Sequence, residues 1–145
     1  MPHRWLMIVA AGNPHRPGVG GPSHADADAA AFAQAFGDIA AERKVVLIGP
    51  DATRAVVEVR FKAILKKAKA GDDFIVFLAG APTAIKADLF LSTWDTLPDA
   101  VAETAIDVGD WFRRIAASKF ARAVAFVDAP GDVEWPTADR VTLFA

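Results

Sequence analysis

A chain of 145 residues has the length of one domain, and such a domain buries roughly 70% of its unfolded surface, so a core can form without staples. The absence of cysteine excludes disulfides, thiolate metal sites and cysteine nucleophiles. A net charge of −2 with both signs interspersed argues against a nucleic-acid surface, and no apolar block approaches the ~20 residues of a membrane span, which leaves a protein, a peptide or a small ligand as the partner.

Arg4 to Ala11 (RWLMIVAA) is a continuous apolar run, the pattern of a strand covered on both faces. The run is short and lacks a small-residue cleavage pattern, so it reads as a first strand and not as a signal peptide, and a cytoplasmic location is expected. Gly12 to His24 (GNPHRPGVGGPSH) is dense in Gly and Pro and reads as a surface loop. It contains no G-K-[ST], and Gly12, Gly18, Gly20 and Gly21 do not fit G-x-G-x-x-G, so nucleotide binding is not expected. Ser23 is placed to cap a helix with Asp26 and Asp28 in its first turn, and Ala29, Phe32, Ala33 and Phe36 repeat at helical spacing along one face.

Lys44 to Ile48 predicts a second strand, closed by Gly49 and Pro50. A longer helix follows, capped by Thr53 or Asp51, with Val57, Phe61, Ile64, Leu65 and Ala68 buried and Lys66, Lys67 and Lys69 at its negative end. Asp72 and Asp73 mark a turn into a third strand, Phe74 to Ala79. Gly80, Ala81 and Pro82 end it, and Asp88 to Thr93 (DLFLST) forms a small extension beside the main sheet. Thr104 or Asp107 starts a further helix with Val108, Trp111, Phe112, Ile115 and Ala116 inward, acids early and Arg113 and Arg114 late.

Ala121 to Val127 predicts a fourth strand, ending in Asp128, Ala129, Pro130 and Gly131, and Arg140 to Phe144 predicts a fifth. The alternation of strands and helices calls for a three-layer α/β/α sandwich with a mainly parallel central sheet, a single domain over residues 1–145. In such sheets ligands bind at the carboxyl ends of the strands, which makes Gly80, Asp128, Ala129 and Gly131 the crevice candidates. Asp128 reads first as a strand-end carboxylate that caps the following turn and second as a crevice carboxylate with a ligand role. His15 and His24 with Asp26 and Asp28 lack rigid ligand spacing, so neither a metal site nor a cofactor is expected.

In order, these blocks resemble the large-subunit portion of the caspase and metacaspase superfamily, the caspase-like peptidases (peptidase C14). His24-Ala25-Asp26-Ala27 is similar to that family's Asn-Asp-Ala helix start, and Asp51-Ala52-Thr53-Arg54 to the Ala-Thr-Arg segment before its second helix. Asp72 to Gly80 resembles the strand that ends in Gly-His-Gly, and Asp88 to Asp95 the Tyr-Leu…Asp segment after it. Thr104-Ala105-Ile106 is similar to the segment before the third helix, and Ala123 to Ala129 to the strand that ends in Asp-Ala-Cys.

The departures fall on the chemistry. The resemblance places the family's general-base histidine at Ala81 and its nucleophilic cysteine at Pro130. Peptide cleavage by a nucleophile needs a thiolate or alkoxide with a base in hydrogen-bond reach, and Pro130 also lacks the N–H that such a site offers to an oxyanion. Ser92 and Thr93 have no base near them in sequence, and His3, His15 and His24 could approach the crevice only by moving. The resemblance therefore implies no catalytic residues and no enzyme. It implies a pseudoenzyme, a scaffold or recruitment module of bacterial signalling or defence that takes a protein or peptide partner, either truncated or minimal at its C-terminal end. The terminal strand would then offer an edge for homo-oligomer formation. The competing expectation is a flavodoxin-like domain that binds a small ligand, or catalyses unrelated chemistry, in the same crevice.

Overall fold

A computed structural model describes residues 1–11 and 25–145. The loop Gly12–His24, with its glycines, the Ser23 cap, His15 and His24, lies outside the described residues.

Five strands form the central sheet: β1 (Arg4–Ala10), β2 (Lys44–Ile48), β3 (Asp73–Ala79), β7 (Arg122–Asp128) and β8 (Val141–Phe144). Their spatial order is β2-β1-β3-β7-β8 and every pairing is parallel. Counted among themselves the strands run 2-1-3-4-5, the doubly wound order whose crevice opens where the connections diverge, between β1 and β3. The chain is thus a three-layer α/β/α sandwich. The near-continuous apolar sequences of β1 and β3 follow from burial on both faces: Leu6, Met7, Ile8, Val9, Phe74, Val76 and Leu78 are almost fully enclosed.

Helix α2 (Arg54–Lys67) and helix α4 (Val108–Ala116) cover one face, burying Val57, Phe61, Ile64, Trp111, Phe112 and Ile115 against Met7, Val9, Phe74 and Val76. Phe61 stacks on Trp111 with ring centroids 3.8 Å apart. Helix α1 (Ala25–Ala35) stands on the other face, with Ala29, Phe32 and Ala33 against Leu6, Ile8, Ala10, Ile75 and Phe77. The predicted extension is a second, antiparallel sheet in the order β4-β5-β6: β4 (Pro82–Ile85), β5 (Asp88–Leu91) and β6 (Ile106–Asp107).

Several helix ends differ from the sequence expectation. Thr53 is the N-cap of α2, but its side chain makes no cap bond; Oδ1 of Asp95 accepts the Arg54 N–H at 2.9 Å instead. Asp107, not Thr104, caps α4 by accepting from the Asp110 N–H, while α3 (Val101–Thr104) is one separate turn. Lys69 lies past the end of α2 and donates its N–H to Oδ2 of Asp72. Arg140 donates to the carbonyls of Ala116 and Phe120, satisfying the C-terminal end of α4 from the start of β8.

Candidate functional site

Parallel pairing fixes where the chemistry can lie. Ala10 of β1, Ala79 of β3 and Asp128 of β7 are mutual register partners, so three strands end level. The Ala11 N–H donates to the Ala79 carbonyl at 3.1 Å and the Gly80 N–H to the Asp128 carbonyl at 3.4 Å, which carries the ladder one residue further. Ala81 and Pro130 each follow these level ends by two residues.

Gly80 is required by close approach. A Cβ there would stand 2.7 Å from the Ser92 carbonyl oxygen and 3.0 Å from its Oγ. That contact exists because the Ala81 N–H donates to Ser92 Oγ at 2.8 Å and the Ser92 N–H donates back to the Ala81 carbonyl at 3.0 Å. The Ser92 hydroxyl is buried and occupied in fixing the strand end. Thr93 has a carboxylate neighbour that its sequence context did not reveal, with Oγ1 3.0 Å from Oδ1 of Asp95. Yet Thr93 is fully buried, and its hydroxyl also bonds Thr96 and the Thr104 carbonyl. A substrate cannot reach it. His3 sits at the amino end of β1, opposite the crevice, where its N–H donates to Asp72.

Asp128 does not cap the following turn. Its side chain lies on the α1 face, as do Val124 and Phe126, and meets Asp28 in the first turn of α1. Burial, then the hydrogen bond and the like charge of Asp28, hold the Asp128 carboxyl above the usual aspartate range. Asp26, one turn position earlier, lies near Gly49 at the end of β2, and its Oδ1 is buried without a partner among the described residues. The start of α1 therefore lays carboxylates across the carboxyl ends of the sheet. Among the described residues no group of His, Asp or Glu is arranged to hold a metal ion.

Beside the carboxyl pair an open groove of about 700 Å³ runs down the sheet face, lined by Phe32, Phe77, Phe126 and Phe144. Phe32 contacts Phe77 and Phe126 at 4.9 and 5.0 Å between centroids, and Phe126 stacks on Phe144 at 5.3 Å. Of the predicted crevice residues, Gly80 and Asp128 come together; Ala129 packs against the α2/α4 core; Gly131 is exposed with a φ of 96°. The groove and the role of Asp28 were missed. The alternation Val124, Phe126, Asp128 along β7 is the sequence signal that points to them.

No protein-family model matches the chain, and no curated protein matches its sequence at a significant level. No helix among the described residues is long and apolar enough to cross a membrane.

Proposed function

We propose that this domain is a catalytically inactive relative of the caspase-like peptidases that acts by binding a protein or peptide, as a scaffold or recruitment module, in bacterial signalling or defence and in the cytoplasm. One observation carries the reading: Ala81 and Pro130, the positions at which the resemblance expects base and nucleophile, follow level strand ends of adjacent strands. The buried hydroxyls of Ser92 and Thr93 nearby are engaged in hydrogen bonds within the fold, and the crevice offers carboxylates and aromatic rings, groups suited to binding a peptide.

Incubating the purified chain with a diverse peptide library, with mass spectrometry of retained and cleaved peptides, tests this. Retention without cleavage is the expected result. Specific cleavage abolished by one point substitution overturns it.

The strand order 2-1-3-4-5 favours a second reading, a flavodoxin-like domain that holds a small ligand between β1 and β3. A stoichiometric small molecule in the native mass spectrum of the purified chain would favour this reading over the first.

A further inference from the structure

The two faces of the central sheet are clothed unequally. Helices α2 and α4 cover one, together with Trp135 and Ala138 of the connection to β8. On the other, α1 stands over β1 and β3, and among the described residues nothing covers most of β7 and β8. Outward residues of these two strands pair in register, Val124 with Thr142 and Phe126 with Phe144, and Phe144 is 56% exposed. The described residues lining the groove include Asp28 and Asp128 and no basic side chain.

The outer surface of α2 carries the complementary pattern. Val56 and Val59 are exposed, the latter at 65%, and with Ala63 they fall on one side of the helix. Lys62, Lys66 and Lys67 are exposed toward its C-terminal half. Arg60 is exposed beside them, so the outer surface of α2 combines two valines with these four basic side chains. The groove goes from the Phe126–Phe144 pair to the two carboxylates at the strand ends.

We propose that α2 of one copy docks in the aromatic groove of a second, Val56 and Val59 over Phe126 and Phe144, with its lysines against Asp28 and Asp128. This deepens the reading of the domain as a binding module and rests on it, naming a second copy of the chain as one partner. Charge complementarity selects this occupant. The two carboxylates repel anionic ligands, and the lysines of α2 bring the opposite charge. The backbone of β7 is paired on both sides, so an added strand cannot take this face and only side-chain packing can.

The geometry also fixes the kind of assembly. Helix α2 and the groove lie on opposite faces of one sheet, so two copies cannot make the contact reciprocally. Each copy that docks its α2 leaves its own groove free, so the contact is head-to-tail and builds a chain or ring of more than two copies.

Sedimentation velocity of the whole chain over a range of concentrations, with three variants, provides the test. The native chain is expected to grow beyond a dimer as concentration rises. Val59→Glu spoils only the helix side and Phe144→Asp only the groove side, so each alone should remain monomeric. An equimolar mixture should form a 1:1 dimer that grows no further, because it contains one intact helix and one intact groove. Lys66→Glu should weaken association about tenfold, and added salt should weaken it further. Circular dichroism confirms that each variant is folded. A native chain that stays monomeric, a closed dimer indifferent to Val59→Glu, such as pairing through the β8 edge would give, or a mixture that fails to dimerise overturns the proposal. Repeating the peptide-library measurement on the Phe144→Asp variant separates the two readings. Peptide retention by this variant would keep the binding-module reading even where self-association fails.

Discussion

The indole Nε1 of Trp5 donates to Oδ2 of Asp72 at 2.9 Å, joining residues 67 apart in sequence at the amino ends of β1 and β3. The same carboxylate accepts from the backbone of His3 at 2.9 Å and of Lys69 at 3.0 Å, and the Asp72 carbonyl takes the Ala121 N–H at 2.8 Å. One buried residue thus ties the starts of β1, β3 and β7. With these starts fixed and the register continuous, the level ends of the strands at the crevice follow.

Replacing Asp72 with Ala should therefore destabilise the fold by about 2–4 kcal/mol, because a buried indole N–H and two backbone N–H groups lose a charged acceptor. Burial alone would raise the Asp72 carboxyl, but the hydrogen bonds from His3, Lys69 and Trp5 outweigh it and hold the carboxyl below the usual range. Since the folded state lowers this value, its stabilising effect is present above the ordinary aspartate range and is lost as pH falls through the folded value. Urea titrations across the acid range should show the native chain losing more stability than Asp72→Asn. Parallel pH dependences would contradict this.

Trp111 should be the most costly single truncation in the α2/α4 layer. The residue is 2% exposed, its ring lies flat on Phe61, and its Nε1 donates to Glu58 at 3.3 Å, while the Arg114 guanidinium stands over the Phe61 ring at 4.8 Å from its centroid. Trp111→Ala should cost about 3–5 kcal/mol, whereas Trp111→Phe, which keeps the stack and loses the donor, should cost distinctly less. Denaturation midpoints at constant slope check this.

What the sequence made legible was whatever depends on burial. The apolar runs of β1, β3 and β7 and the helical spacing of Trp111, Phe112 and Ile115 each follow from facing a core, and each predicted element lies within a few residues of the observed one. Less was legible where a residue acts on a distant one. Asp95 caps α2 from 41 positions away, and Asp72 looks like a turn residue until its three donors are brought to it. The β4–β5 hairpin escaped notice because its turn places Lys86, not Gly or Asn, at a φ of 55°. At the site, the strand ends at Gly80 and Asp128 were visible in the sequence, but the meeting of Asp28 with Asp128 depends on how α1 lies across the sheet.

Gly80→Ala should weaken the crevice more than its small size suggests. The added Cβ would lie 2.7 Å from the carbonyl oxygen of Ser92, a residue held by two hydrogen bonds to Ala81, so the strand end must shift. A loss of about 1–3 kcal/mol is expected, together with faster amide exchange at Ala81 and Ser92, whose reciprocal bonds the shift would stretch. Unchanged exchange at these two amides would show that the close approach relaxes elsewhere.

Asp128→Asn should stabilise the chain at neutral pH, in the direction opposite to Asp72. Burial and the neighbouring Asp28 raise the Asp128 carboxyl in the folded state, so the unfolded chain ionises first as pH rises. Its contribution is favourable below the ordinary aspartate range and is lost as pH passes through the raised folded value, leaving two facing carboxylates at neutral pH. Asparagine keeps a donor for Asp28 and removes the repulsion. Thermal unfolding at neutral pH should give a higher midpoint for Asp128→Asn than for the native chain, and the two midpoints should converge in acid. The same substitution should weaken head-to-tail association, because it removes one of the two charges that α2 lysines would meet. A variant more stable and yet less prone to associate is the joint outcome expected of a carboxyl pair kept for binding at a cost to the fold. A variant that is less stable at neutral pH would mean that the Asp28–Asp128 contact supports the fold on its own account.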